Sequence, residues 1–231
     1  KSPLTAPSRR RVWMGHRGGA VWSLLFALSM SRGAGATSVT LGFESATTNG
    51  VSTGSGGSSA APCPFTWQSG ATPSSSTGPT SGYGGSGSYY FAEVSGTGHG
   101  GHAACQSAGD LFDLSYDGSI CSDEGSIIHD INFKFHMYGT DIGTLRVTDA
   151  SGLQKWSLSG QQHANQSSAW STASVRVHSA SFAFEYTRGN GYTGDAAVAQ
   201  VVVGCGILPP SAPPPPTPPP SPPPPPPTTT T

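Results

Sequence analysis

The chain has 231 residues, with 32 glycines and 21 prolines, and only 10% of its residues are charged. Its net charge of -1 hides an asymmetry, because six of the 11 basic residues precede position 37 and all 12 acidic residues follow it. From residue 37 onward, 5 basic and 12 acidic residues give a net charge of -7. This argues against nucleic acid as a partner, since binding to phosphates needs a basic face.

The first 36 residues resemble a targeting segment. Residues 1–13 are interpreted as a fragment boundary or an over-extended gene model, and Met14 as a better start. Arg17, the apolar run of 11 residues over 20–30 and the small residues Ala34–Ala36 follow the layout of a secretory signal peptide. A buried core helix is the alternative. We predict a signal peptide at Met14–Ala36, a folded domain over 37–208 and a tail over 209–231.

Short apolar and aromatic runs between turn residues predict strands along the whole domain. The predicted strands are Val39–Phe43, Tyr89–Val94, Leu111–Leu114, Ile127–Met137, Leu153–Leu158, Trp170–Val177, Phe182–Tyr186 and Ala196–Val203. The glycine- and serine-rich run Thr47–Pro62 is predicted to be a loop. No segment keeps a helical period of 3.6, so the pattern favours an all-β sandwich or barrel.

The most regular pattern lies between Phe133 and Val147. Apolar and polar residues alternate up to Met137 and again from Thr144, which is typical of half-buried strands. Turn residues such as Gly139 separate the two runs. The sequence therefore predicts that they form a hairpin with one solvent-exposed face, which would carry His136.

The last residues form a low-complexity tail. Fifteen of the 21 prolines lie between Pro209 and Pro227, which predicts an extended polyproline II spacer. Its Ser-Pro-Pro-Pro-Pro runs resemble hydroxyproline-rich wall glycoproteins of plants and green algae. The resemblance implies a hydroxylated, O-glycosylated tail that embeds the domain in a wall or matrix. Membrane association is expected only if the chain continues beyond Thr231.

Many short motifs follow one another along the folded part of the chain. They include Phe43-Glu44, Trp67, Ser69-Gly70, Thr77–Pro79, Phe135–Gly139, Gly143–Val147, Trp156–Gly160, Phe184-Glu185, Gly194-Asp195 and Cys205. In this order they resemble the motifs of the MAM domain family of meprin, neuropilin and receptor tyrosine phosphatase mu. The resemblance spans about Leu41 to Cys205. It implies a jelly-roll β-sandwich of two antiparallel sheets and an extracellular module of adhesion or receptor proteins.

Two departures from the family bear on metal binding. Some members bind calcium through acidic residues, but Ala196–Gln200 lacks the two later aspartates of the family pattern. Gly82 stands where an aspartate is common. We therefore predict no metal and no cofactor.

Four cysteines in a chain with a secretion signal predict disulfide bonds. They are Cys63, Cys105, Cys121 and Cys205. Four cysteines allow three pairings, and the preferred one closes the local loop between Cys105 and Cys121 and leaves Cys63 with Cys205. Free buried thiols are the alternative.

For each of the remaining candidate residues, a structural role is favoured over a catalytic or metal-binding role. His99 and His102 lie in a glycine loop without further metal ligands. His136 has no nucleophile or acid assigned to it by a motif. Glu44 and Glu185 could act as a glycosidase carboxylate pair, but nothing in the sequence sets their separation. We predict no catalytic residue and no enzymatic activity.

Two further features concern the surface. Asn165-Gln166-Ser167 is an N-glycosylation sequon in a predicted loop. Trp67, Trp156 and Trp170 could offer aromatic faces to sugars, although core packing is the better interpretation for at least two of them.

The sequence thus predicts a non-enzymatic extracellular adhesion or protein-interaction module that binds a protein partner or a second copy of itself. The alternatives are a carbohydrate-binding module anchored in wall polysaccharide and the non-catalytic ectodomain of a longer receptor or protease. The binding surface is expected in the loops.

Overall fold

The structure, a computed structural model, describes residues 37–48, 50–56, 61–121 and 125–207. The predicted signal peptide and the Pro-rich tail lie outside the described residues. Within them the chain forms 12 β-strands and two 3-10 turns, at Tyr83–Gly85 and Thr97–His99. No helix in this part of the chain has the length and apolarity to cross a membrane.

The strands form two sheets of six. Sheet A has the order β10-β7-β12-β5-β4, with β1 paired to β12. Its strands are β1 (Thr37–Leu41), β4 (Thr66–Ser69), β5 (Ser88–Ala92), β7 (Ser126–Met137), β10 (Ser171–Ser179) and β12 (Ala196–Ile207).

Sheet B has the order β2-β6-β11-β8-β9, with β3 paired to β6. Its strands are β2 (Val51–Thr53), β3 (Cys63–Pro64), β6 (Leu111–Tyr116), β8 (Thr144–Asp149), β9 (Gln154–Ser159) and β11 (Phe182–Thr187). The described pairings are antiparallel except for the two-residue pair β3–β6. The predicted fold class, a β-sandwich of two antiparallel sheets, is confirmed.

The core lies between the sheets because alternate residues of each strand point inward. Phe133 of β7 and Phe184 of β11 pack edge to face with ring centroids 4.8 Å apart. Trp156 of β9 lies 5.3 Å from the same Phe133 ring. Aromatic side chains thus bridge the two sheets at the centre of the domain.

The predicted hairpin between Phe133 and Val147 is wrong. β7 pairs with β10 and β12 in sheet A, whereas β8 pairs with β9 and β11 in sheet B. The connection over 138–143 crosses from one sheet to the other, and its Ile142 is buried in the core. Alternation reports which residues of a strand are buried, but it does not specify the partner strand.

The preferred cysteine pairing is also wrong. The structure links Cys63 to Cys105 and Cys121 to Cys205, at sequence separations of 42 and 84. The first bond ties β3 to the loop before β6, and the second ties the loop after β6 to β12. Both bonds hold loops to the sandwich, a topology that sequence spacing alone does not show.

The loop predicted over Thr47–Pro62 contains the short strand β2. Val51 is half-buried and packs against the core, while the next two residues are exposed. A strand of three residues within a Gly- and Ser-rich run has too few alternating positions to be recognised from sequence.

Candidate binding recess on sheet A

The outer face of sheet A carries a second, smaller apolar cluster. Tyr89, Phe91, Ala197 and Ala199 pack there, with Trp170 against them. Loop residues cover this part of the sheet, so His136 is fully buried and not solvent-exposed. The predicted solvent exposure of the polar face of β7 is therefore wrong at this position.

His136 and His163 stack under this cover. Their ring planes are 16° apart and their centroids are separated by 4.3 Å. Burial is the main cause that lowers the pKa of His136 to about 4, and the neighbouring His163 lowers it further. Burial also lowers the pKa of His163. Both rings are therefore neutral near pH 7.

The hydrogen bonds of His163 fix its tautomer. Its Nδ1 accepts a bond of 3.0 Å from the backbone N–H of Met137. The proton of the neutral ring is therefore on Nε2, which lies 3.1 Å from the hydroxyl of Ser171 and donates to it. A ring that donates to this serine cannot also take its proton, so the pair lacks the polarity of a nucleophile and base.

A surface recess of about 420 Å³ lies beside this cluster. We call it the sheet A recess. Its lining comes from the loop before β5, from one residue of β7 and from the loop before β10. The lining residues are Thr80, Ser81, Gly82, Tyr83, Gly84, Gly85, Lys134, Gln166, Ser167, Ser168, Ala169 and Trp170. This volume falls within the range of small-ligand sites, about 300–1,000 Å³.

Hydrogen bonds join the two loop walls of the recess. The backbone N–H of Thr80 donates to the carbonyl of Gln166 at 3.0 Å. The side-chain amide of Gln166 donates to the carbonyl of Thr77 at 2.7 Å. The indole N–H of Trp170 donates to the carbonyl of Ser81 at 3.1 Å. The walls are therefore fixed before any ligand arrives, which reduces the entropy cost of binding.

Gly82 has no room for a side chain in this loop. A Cβ atom built on Gly82 would lie 1.6 Å from the carbonyl oxygen of Gly87. No side chain fits there unless the loop changes shape. The loop that closes the recess thus requires glycine at this position.

Lys134 is the one charged residue among the described residues that line the recess. Its ammonium nitrogen lies 4.8 Å from the centroid of the Tyr83 ring. It also donates a hydrogen bond of 2.7 Å to the hydroxyl of Thr172. Both contacts place the cation at the wall of the recess.

A second recess, of about 330 Å³, lies on sheet B and has the opposite charge. Its lining includes Asp113, Asp117, Asp149 and Glu185. Lys155 pairs with Asp149 at 2.9 Å, and Arg146 pairs with Glu185. The two outer faces of the sandwich therefore present recesses of different electrostatic character.

Two carboxyl groups are buried next to each other near the end of β5. Glu93 and Asp195 are 2% and 0% exposed, and each has one oxygen without a hydrogen-bond partner among the described residues. Burial raises the pKa of both groups, and the charge of Glu93 raises that of Asp195 further. The other oxygen of Asp195 accepts from the backbone N–H of Val94 at 3.2 Å.

The remaining residues considered in the sequence do not meet in a common site. Glu185 is held by Arg146 and Thr148 on sheet B, while Glu44 is exposed after β1. His99 and His102 are exposed in their loop. Within the described ranges, no group of three or more His, Cys, Asp or Glu residues is arranged to hold a metal ion.

The three tryptophans that the sequence singled out as sugar-contact candidates are all half-buried and packed. Trp67 donates its indole N–H to the carbonyl of Phe43 at 2.7 Å, and Trp156 packs on Phe133 and Phe135. Trp170 also packs on Tyr89, but it is the one of the three that lines the recess. Only Trp170 therefore keeps a possible role in ligand contact.

Sequence reasoning missed Tyr83, Lys134 and Gln166. Lys134 stands at a polar position of an alternating strand, where a solvated side chain is the usual interpretation. Tyr83 and Gln166 lie in glycine- and serine-rich loops separated by more than 80 residues. No local motif signals that these loops meet, because their contact depends on the tertiary packing around Trp170.

No protein-family model matches the chain. MAM domain-containing glycosylphosphatidylinositol anchor protein 1 of Rattus norvegicus, and that of Mus musculus, are each 34% identical to it over 88 residues. The matched stretch covers 34% of this chain and 9% of each relative, so the chain spans a small part of these proteins. This similarity supports a MAM-like domain.

Among solved structures, the K1 cleaved adhesin domain of Lys-gingipain from Porphyromonas gingivalis W83 gives a TM-score of 0.47 at 14% identity. It covers 72% of this chain and 97% of that domain. A family 29 carbohydrate-binding module gives a TM-score of 0.40 at 14% identity, covering 73% of this chain and 92% of the module. Scores this low do not establish a common fold, so the sandwich assignment rests on the strand pairing.

Proposed function

We propose that residues 37–208 form a non-enzymatic extracellular adhesion or protein-interaction module of the MAM type. The Pro-rich segment over 209–231 would tether it at the cell surface or in a wall or matrix. The sequence similarity to a MAM domain-containing anchor protein supports this proposal. The two disulfide bonds are compatible with an extracellular location.

The observation that carries the proposal is the sheet A recess. Its walls are already joined by hydrogen bonds, and it combines Tyr83 and Trp170 with hydroxyl and amide groups. Binding sites are concave, mostly preformed and furnished with a few fixed polar groups. The recess has these properties on an outer face of the sandwich, where a partner can reach it.

The buried polar groups beside the recess support binding without catalysis. His136 is fully buried, and His163 donates to Ser171 rather than accepting its proton. A general base must be able to take a proton from a group that substrate can reach. His136 instead packs against Trp170, with ring centroids 5.7 Å apart, and His163 stacks on His136.

The test is an adhesion assay with the full chain. Beads coated with it are expected to aggregate with one another, or to be retained on intact cells or wall preparations. Beads coated with reduced and alkylated chain are the matched control, because they lack both disulfide bonds. If the coated beads neither aggregate nor are retained on either preparation, the proposed function is wrong.

A carbohydrate-binding module is the second candidate. The lining of the recess favours it, since four hydroxyl side chains lie near two aromatic rings there: Thr80, Ser81, Ser167 and Ser168 with Tyr83 and Trp170. Sugar rings present both apolar C–H faces and many hydroxyl groups. Retention that is inhibited by soluble glycan, and not by protease treatment of the surface, would favour this candidate.

A further inference from the structure

We propose that the sheet A recess binds a carboxylate-bearing sugar, as found in acidic polysaccharides. Lys134 would pair with the carboxylate, and Tyr83 and Trp170 would contact the sugar ring. This inference rests on the second candidate function, the carbohydrate-binding module, and names the ligand class of its site.

The charge of the recess favours an anionic ligand. Lys134 is the single charged residue among the described lining, in a chain whose residues from 37 onward carry a net charge of -7. A lone cation in an otherwise neutral recess attracts an anion. The acidic recess on sheet B would repel the same ligand, so the two outer faces are expected to differ in binding.

Lys134 is positioned to pair with a carboxylate of the ligand. Its ammonium group contacts the Tyr83 ring and donates to Thr172, which leaves further donor capacity on a group with three N–H bonds. No carboxylate pairs with it among the described salt bridges. A ligand carboxylate can therefore bind this cation without first displacing an internal partner.

The neutral lining distinguishes a sugar from an acidic peptide. Serine, threonine and glutamine side chains supply several small donors and acceptors, whereas Ala169 is the only aliphatic side chain of the lining. Protein interfaces centre on larger apolar anchors. A hydroxylated ring with one carboxylate satisfies the hydroxyls, the aromatic surface and the cation together.

The test uses titration calorimetry of the full chain with a defined probe, trigalacturonic acid. Methyl-esterified trigalacturonic acid, which has no carboxylate charge, and a hexaglutamate peptide are the comparison ligands. We expect binding of the free acid, weaker binding at high salt and at least a ~10-fold loss with the ester. Hexaglutamate is expected to bind at least ~10-fold more weakly than the free acid.

Three variants locate the site. Lys134→Gln and Tyr83→Ala are each expected to weaken binding ~10-fold or more. Arg176→Gln is the matched control, because it removes the same charge from an exposed position of neighbouring β10 outside the recess lining. Thermal unfolding of each variant confirms that it folds.

Three outcomes would overturn the inference. They are no binding of trigalacturonic acid at millimolar concentration, equal binding by Lys134→Gln and Arg176→Gln, and binding of hexaglutamate as tight as that of the sugar. If wild-type beads still adhere in any of these cases, the proposed adhesion function stands and only the ligand assignment fails. Loss of both adhesion and sugar binding would contradict both.

Discussion

His136 and His163 stack face to face beneath Trp170, with ring centroids 4.3 Å apart. Burial lowers the pKa of both rings, so they stack here as neutral groups near pH 7. Trp170, whose ring centroid lies 5.7 Å from that of His136, forms part of the recess wall. The protonation of the buried His136 is thus linked to the packing of Trp170 in the wall of the sheet A recess.

The first prediction is a loss of stability on acidification through His136. Its pKa falls from 6.5 to about 4 on folding, so the unfolded chain binds this proton first as the pH drops. The stabilising contribution is complete above pH 6.5 and is lost as the pH falls towards 4. At ~1.4 kcal/mol per pKa unit, the full loss is ~3 kcal/mol.

Urea unfolding at pH 7.5, 5.5 and 4.5 measures this loss. The comparison is between the wild type and His136→Phe, which keeps an aromatic ring but cannot be protonated. We expect the free energy of unfolding to fall less steeply with acidification in the variant. Equal slopes for the two proteins would show that His136 is not the titrating group.

The second prediction concerns the buried carboxyl of Asp195, whose contribution to stability changes with pH in the opposite direction to that of His136. Because its folded pKa is raised, its stabilising contribution is complete below pH 3.8 and is lost as the pH rises through the folded pKa. Asp195→Asn removes the buried charge while its amide oxygen can still accept from Val94. We expect this variant to be more stable than the wild type at pH 8, with little difference at low pH.

Asp195→Ala separates charge from hydrogen bonding. It removes the charge but also leaves the N–H of Val94 without its side-chain acceptor, which costs ~1–3 kcal/mol. Urea midpoints at pH 4.5 and pH 8 measure both variants. If Asn and Ala have the same effect at pH 8, the hydrogen bond to Val94 contributes nothing and this account of the site is wrong.

The sequence predicted the strands better than their arrangement. Nine of the 12 strands fall largely on the patterned runs, since a buried face imposes alternation on a single strand. Strand partners depend on contacts distant in sequence, so the sequence pattern predicts one hairpin for β7 and β8 although they belong to different sheets. The crossing over 138–143 uses the same turn residues as a hairpin would.

The candidate site was less predictable than the fold. Its one charged residue, Lys134, is at the polar position of the strand pattern that identified β7. The loops over 80–85 and 166–170 have no periodic pattern, and their shape depends on hydrogen bonds between them. Trp170 was the only lining residue that the sequence suggested, because an aromatic ring in a loop is compatible with either packing or ligand contact.

The third prediction is the disulfide connectivity. Peptide mapping of the unreduced protein is expected to find Cys63 linked to Cys105 and Cys121 linked to Cys205. On loop-closure entropy alone, the longer loop contributes ~4.6 kcal/mol and the shorter ~4 kcal/mol to stability. Removing the second bond with Cys121→Ser and Cys205→Ser should therefore lower the urea midpoint at least as much as removing the first. A Cys105–Cys121 peptide would contradict the pairing.

The fourth prediction is that Asn165 carries an N-linked glycan when the chain is secreted from a eukaryotic host. Asn165 is exposed, and its amide oxygen accepts bonds of 3.0 Å and 2.8 Å from the backbone and hydroxyl of Ser167. These bonds do not use the amide nitrogen, which carries the glycan. Asn165-Gln166-Ser167 is the single Asn-X-Ser/Thr sequon in the chain, so a mass shift on peptide-N-glycosidase F treatment reports this site alone. Asn165→Gln and Ser167→Ala should each abolish the shift, and the control Ser168→Ala should retain it. An untreated wild type whose mass includes no glycan would contradict the prediction.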